Sequence, residues 1–283
     1  MIRKTNTILD KIISDVMIDL NNRKKKLPLK NIMNDCENHN RSIVSLKGRL
    51  LNRTIYTPKK AQMSIIGEIK RASPSKGIFN VDIDPIEVAD IYTKSGMVGI
   101  SILTEKDHFL GKLIDMSNCY NSLYDNFKQN RPAILRKDFI VEDYQIYESY
   151  LNGADAFLLI VKILSDQQLS QFINLGHQLG IETLVEVQNY EEINRALNAG
   201  ASLIGINNRD LHTFSETINT TIDLISKIPK NIVCISESGI KEVDDVKMLK
   251  KTNVLGMLIG EAFMNKKFSK RVILKKAHSL MLA

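Results

Sequence analysis

Short apolar runs that end in charge recur along most of this chain. From Ser64 onward they read as strands over 65–70, 97–103, 133–137, 155–160, 181–186, 203–207, 231–237 and 254–260. They are brief and rich in Ile, Val and Leu, which suits buried strands better than helices. Between them, apolar residues spaced three and four apart predict helices over 85–95, 142–151, 165–179, 189–199, 216–227 and 241–250. Asp84-Pro85, Ser165-Asp166 and Ser215-Glu216 offer helix starts, and Gly153, Gly180 and Gly200 follow helix ends, where a left-handed cap favours glycine. Strands alternating with helices build a parallel sheet with helices packed outside it, and eight such units close a (β/α)8 TIM barrel. An open doubly wound sheet is the alternative, but no G-x-G-x-x-G follows the first strand and no P-loop occurs.

Ahead of the barrel, Ile8, Leu9, Ile12, Ile13, Val16, Met17 and Leu20 mark a helix within residues 5–26, with Asp10, Asp15 and Asp19 on its other side. A helix lying on a membrane carries a basic polar face, so these aspartates predict packing on a domain instead. After Pro28, residues 29–52 read as one or two short polar helices. No Gly/Ser/Pro-rich linker follows. The expectation is therefore a single barrel domain over 1–283, with 1–63 as its N-terminal helical extension.

The formal charge of +7 and pI near 9.1 permit a nucleic-acid partner. The lysines are spread along the chain, however, and Arg23 to Lys26, with few aromatics nearby, reads as a solvated helix end. Neither nucleic acid nor membrane is expected as a partner. Positive charge equally favours steering of a small anion. No apolar run approaches the ~20 residues of a membrane span, and no secretory signal is evident at the N-terminus. Three scattered cysteines do not suggest a disulfide framework, which fits a reducing, cytoplasmic setting. The five histidines show no metal-ligand spacing, so no metal is expected, and Cys234, in mid-strand, reads as a small core residue.

Barrel chemistry gathers at the C-terminal ends of the strands. Those ends carry Glu68 and Lys70, Thr104 and Glu105 with Phe109 in the following loop, Lys137, Glu186, Asn207 with Arg209, Glu237-Ser238-Gly239 and Gly260-Glu261. An acid and a base buried on one strand, as at Glu68 and Lys70, also occur as structural ion pairs, so that pair alone decides nothing. Convergence of so many ionisable groups on one end points to a functional site. Gly239 and Gly260 would let backbone N–H groups approach a phosphate, with 261–264 starting a short helix aimed at it. Two ordinary loop glycines are the other reading. The residues alone reach a barrel enzyme that handles a phosphorylated small molecule.

The segments EIKRASPSKG (68–77), ILRKDF (134–139), LVEV (184–187), GINNRDL (205–211), SESGI (236–240) and LIGEAFM (258–264) resemble indole-3-glycerol-phosphate synthase in the family's order, and ILDKI (8–12) resembles its N-terminal extension. The resemblance implies conversion of 1-(2-carboxyphenylamino)-1-deoxyribulose 5-phosphate to indole-3-glycerol phosphate, carbon dioxide and water, with no cofactor. It implies Lys137 as general acid and Glu186 as general base. Glu68 and Lys70 would orient the reacting centre, and Asn207 and Arg209 would hold the carboxylate and ring end. Ser73, Ser238, Gly239, Gly260 and Glu261 would surround the phosphate, with Phe109 against the ring. The loop Asp107-His108-Phe109-Leu110-Gly111 departs from the family, which more often has two aromatics and a glutamine there, and Asn52 to Gln62 is also less typical. A lysine-dependent aldolase, in which Lys137 forms a Schiff base, is the enzymatic alternative, and a basic nucleic-acid-binding barrel is the non-enzymatic one. A monomer or weak homodimer is expected.

Overall fold

The computed structural model describes residues 2–264 and 269–283. Eight parallel strands close on themselves: β1 (Ser64–Ile69), β2 (Gly99–Leu103), β3 (Ala133–Lys137), β4 (Ala156–Ile160), β5 (Glu182–Val187), β6 (Leu203–Asn207), β7 (Val233–Glu237) and β8 (Gly256–Ile259). Each strand pairs with its sequence neighbours, and β8 returns to β1. The protein is a TIM barrel, as the alternation of strands and helices predicts. Side chains from the strands fill the interior, and helices such as Pro85–Lys94, Asp143–Leu151 and Asp166–Gln178 cover the outside.

The N-terminal segment closes both ends of this cylinder. Helix α1 (Ile8–Lys26) starts at Thr7, whose side chain accepts from the Leu9 N–H, and buries Leu9, Ile12, Ile13, Val16 and Leu20. Its aspartates are not simply solvated: Asp15 lies 2.8 Å from His108 Nε2, and Asp19 lies 2.5 Å from Lys106 Nζ. The basic cluster at its end also differs from a free solvated terminus. Arg23 pairs with Glu148, and Lys24 reaches Glu142 at 2.5 Å, both on the barrel's helical flank. Coulomb attraction across that packed surface holds the end of α1 down, while Lys25 and Lys26 stay exposed.

Helices α2 (Leu29–Glu37) and α3 (Leu46–Leu51) follow. α3 seals the opposite mouth: side chains at the first residues of β2 and β8 would collide with Leu46 and Leu50, and both positions are glycine, Gly99 and Gly256. Between α2 and α3 the chain is fastened by Asp155. Its carboxylate takes two bonds from Arg131 (2.5 and 2.8 Å), the Val44 N–H (3.0 Å) and the Ile134 N–H (2.7 Å).

Two predicted elements differ. The helix expected from Ser215-Glu216 begins only at Asn219 and runs to Leu224, followed by a 3-10 turn to Lys227. Glu216 is instead bridged antiparallel to Arg209, and that pairing draws the backbone away from helical geometry. The short helix expected over 261–264 is a single turn, because the N–H groups of Phe263 and Met264 both donate to the Gly260 carbonyl, at 2.9 and 3.1 Å. The closing helix is Lys270–Met281.

Candidate active site

Strand register brings the last inward-facing side chains of several strands to one level. Asn207 sits beside Glu237, Glu186 beside Gly205, Lys137 beside Leu103 and Glu68 beside Ser101. Lys137 Nζ lies 3.3 Å from Glu186 Oε2 and 3.8 Å from Glu237 Oε2. Asn207 Nδ2 donates to the other Glu186 oxygen at 3.1 Å. Lys70 Nζ lies 2.7 Å from Glu68 Oε1. The carboxylates of Glu68, Glu186 and Glu237 are all buried.

Burial opposes every one of these charges, and the neighbours decide which survive. For Lys137 desolvation favours the neutral amine, but Glu186, Glu237 and Glu68 together outweigh it and raise its pKa, so it stays an ammonium. For Glu68 desolvation would raise the pKa, but Lys70 and Lys137 bring it below the usual carboxylate range. Glu237 goes the other way. Its burial, with Glu186 and Glu68 adding like charge, prevails over Lys137 and pushes it up to about 8. The site therefore holds a fixed cation, a fixed anion and a carboxyl group that titrates above neutrality.

Beside these groups lies a cleft of about 790 Å³, open mouth included, whose apolar wall contains Ile8, Ile12, Phe109, Phe139, Leu158 and Phe214. Phe109 and Phe139 rings approach to 6.0 Å between centroids. The loop carrying Phe109 is wound around Glu105, whose buried carboxylate accepts the N–H groups of Asp107, His108 and Phe109 at 2.8–2.9 Å. Ser73 is buried on the cleft's other side, its hydroxyl 3.4 Å from that of Ser75.

An adjoining pocket is lined by Lys70, Arg209, Ser238, Gly239, Gly260 and Glu261, among others. Ser238 and Gly239 both have positive φ, 64° and 73°. A serine there is strained, and Asn208 holds the turn by donating to the Ser238 carbonyl at 3.0 Å. Gly260 has a second reason to be glycine: a Cβ there would stand 2.4 Å from Glu68 Oε1. The Glu261 carboxylate faces Lys76 and Arg209, each at 3.7 Å. Among the described residues no cluster of three or more His, Cys, Asp or Glu side chains could hold a metal ion.

A family model for indole-3-glycerol phosphate synthase matches residues 9–275. The chain belongs to the indole-3-glycerol phosphate synthase family. Curated relatives of that name include those of Thermoanaerobacter pseudethanolicus, 42% identical over 257 residues (91% of this chain, 92% of the relative), and Dehalococcoides mccartyi, 40% identical over 255 residues (90% and 94%). The synthase of Caldanaerobacter subterraneus subsp. tengcongensis is 47% identical over 219 residues, 75% of this chain and 82% of the relative. Solved structures share the fold at far lower identity. KGPDC from Streptococcus mutans superposes with a TM-score of 0.60 at 12% identity, covering 77% of this chain and 97% of that one. Thiamine phosphate pyrophosphorylase from Pyrococcus furiosus gives 0.56 at 13% identity, covering 79% and 96%.

All twelve residues to which the resemblance gives a role line one or both of the two adjoining pockets, whereas the strand-end residues Thr104 and Glu105 line a separate cleft beside Arg136 and Asp138. Three contributions to these pockets were not assigned from the sequence. Glu237 was legible as a strand end, yet its contact with Lys137 was not. Ile8, Leu9 and Ile12 read only as a packing stripe, and α1 brings them into the cleft. Leu211 and Phe214 come from a loop whose backbone, at Phe214, takes a φ of 58° that no local pattern announces.

Proposed function

We propose that the protein closes the indole ring of 1-(2-carboxyphenylamino)-1-deoxyribulose 5-phosphate, releasing carbon dioxide and water, with Lys137 at the centre of the chemistry. One observation carries this reading: a cationic Lys137, flanked by Glu186 and Glu237, stands between an apolar cleft and a glycine-lined anion pocket. The cleft suits the aromatic ring and the pocket suits the phosphate. Binding both ends holds the ring carbon against the ketone, which supplies much of the rate enhancement.

Lys137 donates its proton to the ketone oxygen as the ring carbon attacks. Loss of carbon dioxide then restores the ring's aromaticity, so the electrons need no external acceptor. Glu186, with one oxygen fixed by Asn207, takes the proton lost as the new hydroxyl departs as water. Lys70 and Glu68 charge-match the reacting centre and share that proton traffic. Ser73, Ser238, Gly239, Gly260 and the Glu261 N–H surround the phosphate, Arg209 closes the mouth, and Phe109 packs on the ring. A well-placed proton donor contributes ~10²–10⁴ in rate.

The aldolase alternative needs Lys137 as a neutral amine. The glutamates around it raise its pKa, which opposes that and favours the acid role. The site is assembled from one chain, which fits action as a monomer or weak homodimer, and three buried free cysteines suit a reducing cytoplasm. Purified protein mixed with the carboxyphenylamino-deoxyribulose phosphate should generate indole fluorescence in proportion to enzyme. Absence of product at every enzyme concentration would refute the assignment.

A further inference from the structure

The loop after β6 returns on itself, and Arg209 and Glu216 face each other across it in an antiparallel bridge. The Glu216 side chain is only 8% exposed and both of its oxygens are engaged: Oε1 accepts from Arg209 Nη2, and Oε2 lies 2.9 Å from Lys241 Nζ. Its stem runs against the anion pocket, since a Cβ at Gly239 would approach Glu216 Cβ to 3.3 Å. Arg209 uses its other arm to donate to Ser75, across the mouth in the loop after β1. A rival anion is at hand, with Glu261 Oε2 only 3.7 Å from Arg209 Nη2.

We propose that Glu216 is a positioning residue that locks Arg209 between the β1 and β6 loops and holds Lys241 beside the phosphate pocket. This inference rests on reading the pocket at Ser238, Gly239 and Gly260 as the phosphate subsite. Arg209 has five N–H donors in a fixed fork. Glu216 occupies one edge and Ser75 another, which fixes where the remaining donors point. Lys241 is about half exposed, and without Glu216 its flexible stem has no reason to stay at the rim. Both loops then present cations whose places are set before substrate arrives, which lowers the ordering cost of binding. The bond network also keeps Arg209 from turning to Glu261 and neutralising it in front of the pocket.

Charge alone and positioning predict opposite signs. Glu216 is itself an anion close to the phosphate subsite, so neutralising it should tighten anion binding if only Coulomb attraction matters. If its task is to hold the two cations, neutralising it should weaken binding. Inorganic phosphate titrated calorimetrically into the full-length wild type and Glu216→Gln separates these, and needs no turnover. The expected result is phosphate binding about tenfold weaker in Glu216→Gln, the size of one lost charged hydrogen bond. With substrate, KM should rise by a similar factor while kcat moves less than about threefold, as for an interaction made equally in ground and transition states. In an Arg209→Ala background the same change should weaken phosphate binding less, since only Lys241 is left for Glu216 to hold.

Unchanged or tighter phosphate binding in Glu216→Gln overturns the inference, as does an equal loss without Arg209, or a wild type that does not bind phosphate. Should Glu216→Gln fail to fold, Glu216→Asp decides, because it keeps the charge but is too short to hold both Arg209 and Lys241: weaker phosphate binding supports the inference, and unchanged or tighter binding overturns it. A wild type that shows the expected phosphate pattern yet makes no indole product would reject the proposed activity while supporting the role of Glu216.

Discussion

Glu237 fills the space that a side chain at residue 205 would need: a Cβ on Gly205 would stand 1.8 Å from Glu237 Oε1. The same holds at Gly260 and Glu68, at 2.4 Å. Contacts that short do not occur between real atoms, so each glycine reserves room for one carboxylate in a close-packed barrel. Substituting alanine leaves the backbone allowed but moves the acid.

Gly260→Ala should therefore behave as a lesion of Glu68, and Gly205→Ala as a lesion of Glu237. A displacement near 1 Å in a reacting site can cost about 10² in rate. We expect kcat to fall by roughly that factor in each, with circular dichroism unchanged. Gly260→Ala combined with Glu68→Gln should be little worse than either alone. Additive losses would show that the glycine serves something other than the carboxylate.

Glu237 also predicts a pH dependence of stability. Its folded pKa, about 8, lies above the ordinary carboxyl value of 4.5. A group raised on folding binds more protons in the native state, so its contribution is present below about pH 4.5 and is lost as pH rises to about 8. Glu68 shifts the other way and loses its contribution only on acidification. Between pH 5 and 8 the Glu237 slope stands alone of the two. Glu237→Gln should remove that decline, raising Tm more at pH 8 than at pH 5, at roughly 2 °C per kcal/mol for a chain of this size. Parallel Tm profiles for both proteins would contradict the assignment.

The lid formed by α1 is held partly by charge. His108→Ala removes the bond to Asp15 and leaves the Lys106–Asp19 pair. His108 and Asp15 are both partly buried, and a hydrogen bond of this kind contributes about 0.5–1.5 kcal/mol, so KM should rise about two- to tenfold with kcat little changed. High salt should raise KM in both proteins by screening the Lys106–Asp19 pair. A KM independent of both the substitution and the salt would show that apolar packing alone seats α1.

Asp155 tests the fold rather than the chemistry. It is fully buried and carries Arg131, Val44 and Ile134 at once. Removing one partner of a buried pair costs ~3–5 kcal/mol. Asp155→Ala should lower the denaturation midpoint by a corresponding amount, or abolish soluble expression. A loss below ~1 kcal/mol would mean that water satisfies Arg131 instead.

The barrel was legible because strand and helix periods differ and because each strand ends in charge. Glu68, Lys137, Glu186 and Asn207 could be placed at one mouth from alternation alone, since strands of known direction leave little freedom for their last inward residue. What was not legible depends on distant contacts. Glu216 looked like a helix start because serine and glutamate favour that role, and only Arg209 across the loop recruits it elsewhere. Residues Ile8, Leu9 and Ile12 showed an apolar stripe without saying what it covers. His108, a departure from the family's pattern, acquires a partner only once α1 lies over the loop.

The account stands on Lys137 as a charged proton donor, and kcat for Lys137→Met tests it most directly. The wild type should produce indole fluorescence, and Lys137→Met should lose about 10²–10⁴ in kcat while still binding substrate, with Lys137→Arg retaining part of the activity. Full activity in Lys137→Met, or a borohydride-trapped adduct on Lys137 in the wild type, would contradict it.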